Sequence, residues 1–402
     1  MLIVQKFGGS SVADAAKIRR VAGIIADAFI EDHQLVVVLS AQGDTTDELI
    51  EKARELNPSP SRREMDALLT VGEQISVALM AMELERMRLP VVSLTGWQIG
   101  LRTDARHGAA RIQSIDGERL RNELDQGKIV LVCGFQGIDK YGDQTTLGRG
   151  GSDTTAVAIA AALGADQCQI YTDVEGVFTA DPRKVPEAKK LSAITYDEML
   201  ELASLGSQVL HNRSVELAKR YGVDLEVRSS YVRKPGTKVK EVLQPMERML
   251  ISGVAKDADC ARVTVFGVPD SPGLAFRVFN ALSRAGINVD VILQSGGVDG
   301  KSDISFTLRE SDAPRAKELL ERQRGAIGFT GVEVDATVAK VSVVGAGLMD
   351  SPGMAVRMFE ALAGCGINIQ MISSSEIKLS VVIARDRADE AVRAIHSKFF
   401  PA

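Results

Sequence analysis

Cysteine and histidine are scarce in this sequence of 402 residues, with four of each. Cys133, Cys168, Cys260 and Cys365 stand far apart with no C-x-x-C pair, which excludes a disulfide framework and a cysteine zinc cluster on spacing. They read as reduced, buried thiols of a cytosolic protein. The histidines show no ligand spacing for zinc either, and no residue is assigned as a metal ligand. A basic block is also missing: 48 Lys and Arg against 53 Asp and Glu give a net charge of −5, with both signs spread along the chain. Nucleic acid and an anionic membrane surface therefore lose their electrostatic footprint, and small soluble ligands gain. The apolar run Ala156 to Ala165 falls short of the roughly 20 residues that cross a bilayer. The N-terminus enters "LIVQKF" without a signal-peptide layout, so the expected location is the cytoplasm.

What is present is organised in two styles. The length suggests two or three domains of roughly 100 to 200 residues. Up to about Val227, β-branched runs alternate with helical patterns: "LIVQKF", "LVVVLS" at Leu35, "VVSLT" at Val91, "IVLVCGF" at Ile129, "QIYTD" at Gln169 and "LEVRS" at Leu225. That alternation predicts an α/β domain with a largely parallel sheet. Ile18, Val21, Ile25 and Phe29 recur at helical spacing, so the first strand feeds through "GGSS" into a helix. Pro235, Gly236 and Pro245 punctuate a polar stretch, and a boundary is expected near Gln244.

Beyond it, the 26 residues from Asp270 recur from Asp350 with 14 identities. A repeat at a shift of 80 residues is too long for a solenoid unit and reads as a duplicated small domain. Each copy runs strand, turn, helix, strand, strand, helix, the ferredoxin-like β-α-β-β-α-β order. The expected division is 1–245, 246–335 and 336–402.

The glycine-rich stretches do not match the two commonest phosphate loops. The one G-K-S, Gly300 to Ser302, has Ser295 where a Walker loop needs its first glycine, and no G-x-G-x-x-G opens a suitable βαβ unit. "VQKFGGSS" instead puts Lys6 at a strand end, with Gly8, Gly9 and Ser10 at a helix start. Free N–H groups and the helix dipole favour an anion there. A tight turn in which Ser10 or Ser11 caps the helix fits the same residues. "GRGGSDTT" from Gly148 poses the same choice, although Arg149 just ahead of a helix start favours an anion. "YTDVEGVFTADPRKVP" from Tyr171 is a strand followed by a polar loop, at the end of a strand where open α/β sheets bind ligands. Glu73, on a helix expected over Arg63 to Met87, reads by itself as a solvated or salt-bridged carboxylate.

Taken in order, "VQKFGGSSV", "SAQGDTTDEL" from Ser40, "GE" at Gly72, "GRGGSDTTA", "YTDVEGVFTADPR" and the paired repeats resemble the aspartate kinase family over essentially the whole chain. The resemblance implies an amino-acid kinase-like αβα sandwich followed by two ACT domains. It also implies phosphoryl transfer from ATP, accompanied by Mg2+, to the β-carboxylate of L-aspartate. On the family's pattern, Lys6 with Gly8, Gly9 and Ser10 holds the transferring phosphate, Asp153 orients Lys6, and Ser152 lies against the phosphates. Arg149, with Gly150, Gly151 and Ser152, takes the substrate α-carboxylate, Glu73 its ammonium group, and Ser40 and Thr46 help to place it. Thr172, Asp173, Phe178, Thr179, Ala180, Asp181, Pro182 and Arg183 form the nucleotide wall. Magnesium is held chiefly by ATP oxygens. Many members carry a phosphate-touching lysine where this chain has Gln208, and Arg183 is the candidate to compensate.

In the repeats, the resemblance points to Asp270, Gly273, Ala275, Asn288, Val289, Asp290 and Gln294, facing Ala355, Asn368, Ile369, Ser375 and Glu376. Between paired modules these would bind lysine, threonine or both as feedback inhibitors. A homo-oligomer through ACT pairing is implied, as is a shorter chain made of the ACT region. The rivals are a kinase for glutamate or N-acetylglutamate, and a non-catalytic amino-acid sensor.

Overall fold

Six of the runs picked out above become six strands of one sheet in the computed structural model, which describes residues 1–205, 209–241, 251–297, 300–348 and 353–401. Gln208 and the expected boundary near Gln244 lie outside the described residues. The chain forms two compact units, Met1–Phe178 with Lys190–Met246, and Thr179–Lys189 with Glu247–Ala402.

In the N-terminal unit the chain runs β1 (Leu2–Phe7), α1 (Ala15–Ile30), β2 (Gln34–Leu39), α2 (Thr45–Leu56), α3 (Arg62–Leu69), α4 (Val71–Arg86) and β3 (Val91–Leu94). It continues through β4 (Arg102–Thr103), β5 (Ile112–Ser114), α5 (Glu118–Asp125), β6 (Ile129–Cys133), β7 (Gln136–Ile138), β8 (Gln144–Thr146), α6 (Gly151–Leu163) and β9 (Gln167–Thr172). It closes with β10 (Ala193–Thr195), α7 (Tyr196–Ser204), α8 (Asn212–Tyr221), β11 (Leu225–Ser229) and β12 (Thr237–Lys240). The main sheet has the order β10-β12-β11-β9-β1-β2-β6-β3, and a smaller one has the order β5-β4-β7-β8. β1 pairs in parallel with β2 on one side and β9 on the other. The strand order therefore turns back at β1, the kind of switch point where open α/β sheets bind ligands at their carboxyl ends.

Burial explains why the strands were readable. Val36 to Leu39 and Ile129 to Cys133 are buried throughout, the continuous apolar run of a strand covered on both faces. Ile18, Val21 and Ile25 of α1 face this core, with Phe29 packed at its margin. The helix expected over Arg63 to Met87 is two helices, α3 and α4, that meet at Thr70. The stretch Arg62–Arg86 is, by length and composition alone, long and apolar enough to cross a membrane. Here α4 packs Val77, Met80 and Leu84 into the core of the α/β unit.

In the C-terminal unit the elements are β13 (Gly253–Asp257), β14 (Ala261–Pro269), α9 (Leu274–Arg284), β15 (Ile292–Gln294), β16 (Lys301–Leu308), α10 (Ala313–Ile327) and β17 (Gly331–Asp335). They are followed by β18 (Val338–Val344), α11 (Met354–Gly364), β19 (Met371–Ser374), β20 (Lys378–Ala384) and α12 (Ala388–Phe399). The first repeat closes its own sheet, β15-β16-β14-β17. The second does not: its sheet is β13-β18-β20-β19, and the outer strand beside β18 comes from upstream of the first repeat. A cut at 246 therefore gives β13 to the first copy by sequence, whereas its hydrogen bonds give it to the second.

The segment Thr179–Lys189 belongs to this C-terminal unit. Ala180 and Val185 join a core with Val341, Met358 and Leu362. Thr179 is buried, its Oγ1 lies 2.9 Å from Nε2 of His396, and its carbonyl accepts from the Val254 N–H.

Candidate active site

At the carboxyl end of β1 the chain makes a single 3-10 turn, Gly9–Ser11, before α1. The capping alternative for the serines does not hold. Asp14 is the N-cap of α1 and accepts from the Lys17 N–H, while Ser10 is exposed and Ser11 Oγ bonds to Ser230 Oγ. Glycine is required at position 9, because an added Cβ would lie 2.5 Å from the Ala41 carbonyl oxygen. This close approach draws the β1 and β2 loops together, and the Gly43 N–H donates to the Gly9 carbonyl.

The opposite wall is the start of α6. Its N-cap is Gly150, with φ +70° and no side-chain cap. An added Cβ there would strike the His211 ring at 2.3 Å. Thr154 and Thr155 bond backwards to the carbonyls of Gly150 and Gly151, leaving the first-turn N–H groups without a side-chain acceptor. Such a terminus attracts anions through its free donors and the helix dipole.

These walls enclose one cavity lined by Lys6, Gly8, Gly9, Ser40, Thr46, Glu73, Phe135, Gly148, Arg149, Gly150, Gly151, Ser152 and Asp153. Lys6 Nζ lies 2.6 Å from Asp153 Oδ1, and both side chains are largely buried. Glu73 is 3% exposed. Its Oε1 accepts from the Ala41 N–H at 3.1 Å, and its Oε2 is buried with no hydrogen-bond partner among the described residues. Burial pushes this carboxyl up to about 8, with the Ala41 N–H opposing. Arg149 is exposed at the cavity edge with no ion-pair partner among the described residues. The cavity thus offers a cation paired to an internal carboxylate, a second cation, and a buried carboxyl with one oxygen unmatched.

Of the residues expected here, Lys6, Gly8, Gly9, Ser40, Thr46, Glu73, Arg149, Gly150, Gly151, Ser152 and Asp153 line the cavity, and Ser10 does not. Thr172 ends β9 and Asp173 follows it; both stand outside the lining, with Thr172 Oγ1 accepting from the Val174 N–H. Phe178 remains with the N-terminal unit. Thr179 and Ala180 are buried in the core of the C-terminal unit. Arg183 is held by Asp181 through two contacts of 3.0 Å, so its charge is engaged on its own loop.

Sequence reading missed Phe135 and Gly148. Phe135 has φ +68°, rare for a bulky residue and of a kind that clusters at functional sites. Its flanking glycines in "CGFQG" are too common a signal to have identified it.

In the C-terminal unit, Asp270, Gly273, Ala275, Asn288, Asp290, Gln294, Asn368, Ser375 and Glu376 are exposed, and Val289, Ala355 and Ile369 half-buried. Gly286 and Gly366 end their helices with φ +73° and +64°, the left-handed stop expected of them. Asp290 is not free: Lys340, whose side chain is 5% exposed, pairs with it and reaches Asp257 at 3.6 Å. Burial alone would lower the Lys340 ammonium, but these carboxylates outweigh it and hold it above the ordinary lysine value.

Residues 1–229 match the amino acid kinase family, and 262–328 and 341–399 each match the ACT domain. The chain is 52% identical over 403 residues to an aspartokinase of Mycolicibacterium smegmatis, covering 99% of this chain and 96% of that protein. Among solved structures it is similar to E. coli aspartokinase III with aspartate and ADP in the R-state, at 27% identity and a TM-score of 0.85 over 100% of both chains. It is also similar to the same E. coli enzyme with lysine and aspartate in the T-state, at 28% identity and a TM-score of 0.78 over 99% of both.

Proposed function

The chain belongs to the aspartokinases of the amino acid kinase family, and from that premise we propose that it transfers the γ-phosphoryl group of ATP to the β-carboxylate of L-aspartate, giving 4-phospho-L-aspartate and ADP. The observation that carries this reading is the gathering of Lys6, Asp153, Glu73 and Arg149 around one cavity. The acceptor carboxylate, with an ordinary value of about 3.9, is already ionised near neutral pH, so no general base is needed. The obstacle is repulsion between two anions, and catalysis must come from positioning and charge neutralisation. Lys6 and the open N-terminus of α6 meet the phosphates, with Asp153 holding Lys6 in place. Arg149 takes the α-carboxylate, and Glu73, through its unmatched Oε2, takes the ammonium group. Thr172, Asp173 and Phe178 remain the proposed nucleotide wall.

Magnesium suits this donor set only as an ion carried by ATP. The carboxylate nearest the phosphate-holding lysine, Asp153, is already committed to Lys6. An ion on the phosphate oxygens would neutralise their charge, and Lys6 would supply the protein's share.

Feedback control by lysine, threonine or both at the ACT repeats completes the proposal, and places the enzyme at the entry to lysine, threonine and methionine synthesis in the cytoplasm. Pairing of repeats between chains is supported by apolar side chains exposed at matching places. Phe276 and Val356 lie on the helices, and Ile292 and Ile372 on the edge strands, each pair 80 residues apart. A shorter ACT-only chain would present the same edges. The test is ADP release with L-aspartate, L-glutamate and N-acetyl-L-glutamate, with and without lysine and threonine. L-Aspartate-dependent ADP is expected; its absence sinks the reading. An N-acylated acceptor is disfavoured because Glu73 would face a group without charge.

A further inference from the structure

The turn of the β7–β8 hairpin, Asp139 to Asp143, carries a carboxyl oxygen that no described residue satisfies. Asp139 is 1% exposed. Its Oδ1 accepts from the N–H groups of Tyr141 at 2.8 Å and Asp143 at 3.0 Å, which shapes the turn. Its Oδ2 is buried with no hydrogen-bond partner. A buried carboxyl oxygen left unmatched is costly, and such an atom calls for a partner.

The neighbours supply the rest of a ligand set. One ring nitrogen of His107 and one carboxylate oxygen each of Asp139 and Asp143 all lie within 4.8 Å of one another. His107 comes from the loop between β4 and β5, far away in sequence, so no spacing rule could have found it. Its ring is held from behind: Nδ1 lies 2.9 Å from Oδ2 of Asp66. Asp66 is 1% exposed and also accepts from the Gly108 N–H and the Thr146 hydroxyl. A carboxylate on Nδ1 makes that nitrogen the N–H donor and leaves the Nε2 lone pair for a metal, the usual outer-shell support of a ligating histidine. Asp143 is gripped by Arg63, with Nε to Oδ2 at 2.9 Å and Nη2 to Oδ1 at 2.6 Å. Arg63 is half exposed and occupies the oxygens that an ion would take. It is therefore both a stand-in cation and a competitor.

We propose that His107, Asp139 and Asp143 form a binding site for a divalent transition-metal ion, separate from the nucleotide's magnesium. One imidazole with two carboxylates suits Zn2+, Mn2+ or Co2+ better than Mg2+ or Ca2+, which prefer oxygen alone. Bonds of about 2.0 to 2.2 Å would draw the three ligand atoms closer together than the present cluster holds them, and three protein ligands leave a coordination place for water. None of the three residues lines the phosphate cavity. The ion would nonetheless brace it. The Ala110 N–H donates to the Thr146 carbonyl, and a Cβ added at Gly148 would lie 3.0 Å from the Gly108 carbonyl oxygen, so the His107 loop abuts the chain that carries Arg149.

The test is calorimetric titration of the full chain, stripped with a chelator and free of nucleotide, with Zn2+ alone. One ion per chain is expected. Asp139→Asn and His107→Gln should each weaken binding by about tenfold or more. Arg63→Ala removes the competitor from a half-exposed position and should bind Zn2+ more tightly than the natural chain. Were Asp139→Asn to misfold, the His107 and Arg63 variants would still decide the matter. No saturable Zn2+ binding by the natural chain, or binding unchanged in both His107→Gln and Arg63→Ala, overturns the proposal.

Discussion

The cavity of the N-terminal unit and the turns that open α9 and α11 use similar materials, glycine at a helix start with acidic and amide side chains nearby, yet they are finished to different degrees. In the cavity the polar groups other than Arg149 are largely enclosed. Lys6 meets Asp153, Glu73 keeps one buried oxygen unmatched, and α6 starts without a side-chain cap. At the turns, Gly273 and Gly353 take φ of +90° and +92° with nothing within 4 Å of an added Cβ. Asp270, Gln294 and Glu376 lie open to solvent. A site for a charged transition state must be desolvated and preorganised within the chain, because each donor is worth more there than in water. A regulatory site that acts by shifting a population can be completed by a second chain, and needs only to bind one state better than the other.

The sharpest way to break this contrast is at Lys6. Lys6→Ala should lower kcat by about 100- to 1,000-fold, the range for removing one preorganised donor. The variant should stay folded by circular dichroism, although Asp153 then loses its partner. A near-normal kcat would show that the enclosed cation is not what holds the phosphate.

The regulatory turns should respond more weakly and in a different quantity. Gln294→Ala should raise the concentration of lysine or threonine needed for inhibition by roughly tenfold, within the usual coupling of about 1 to 3 kcal/mol, and leave uninhibited kcat unchanged. Inhibition identical to that of the natural chain would remove Gln294 from the effector site. Asp290 is a poorer probe, since replacing it would leave the buried Lys340 ammonium only the longer contact to Asp257.

What the sequence disclosed follows the same division. Apolar, β-branched runs need no partner to be recognised, and six of the eight strands in the main sheet were legible from them, most plainly β2 and β6, which are buried on both faces. β10 is short and lies at the edge, β12 beside it has only four residues, and the β5-β4-β7-β8 sheet has strands of two or three residues, too brief to set a period. The duplication was plain, but β13 changing sheets was not, because strand partnership is a tertiary property that a one-dimensional repeat does not encode. Thr179 and Ala180 show the same limit: they continue a motif that begins at Tyr171, and the fold spends them on the regulatory core. Eleven of the cavity's thirteen lining residues were named beforehand through the resemblance to the aspartate kinase family, since read alone Glu73 was a surface carboxylate and the glycine loops were equally capped turns, whereas Phe135 and Gly148 serve by shape.

Glu73 offers the smallest effect and the finest resolution. Its folded value of about 8 lies above the ordinary 4.5, so between those limits the folded chain keeps a proton that the unfolded chain releases. Its contribution to stability is accordingly greatest below about 4.5 and is lost as the pH rises through 8, a slope that Glu73→Gln should remove. Pairing with a substrate ammonium group requires the ionised form. At pH 7, a group with this value is about nine-tenths protonated, so binding L-aspartate should release roughly 0.9 proton, and apparent affinity should rise about fivefold from pH 7 to pH 8. Calorimetry in buffers of different ionisation enthalpy measures the proton directly. Release equal in the natural chain and in Glu73→Gln would mean that the ammonium group is met elsewhere. The unmatched oxygen of Glu73 would then be a cost of the fold rather than part of substrate recognition.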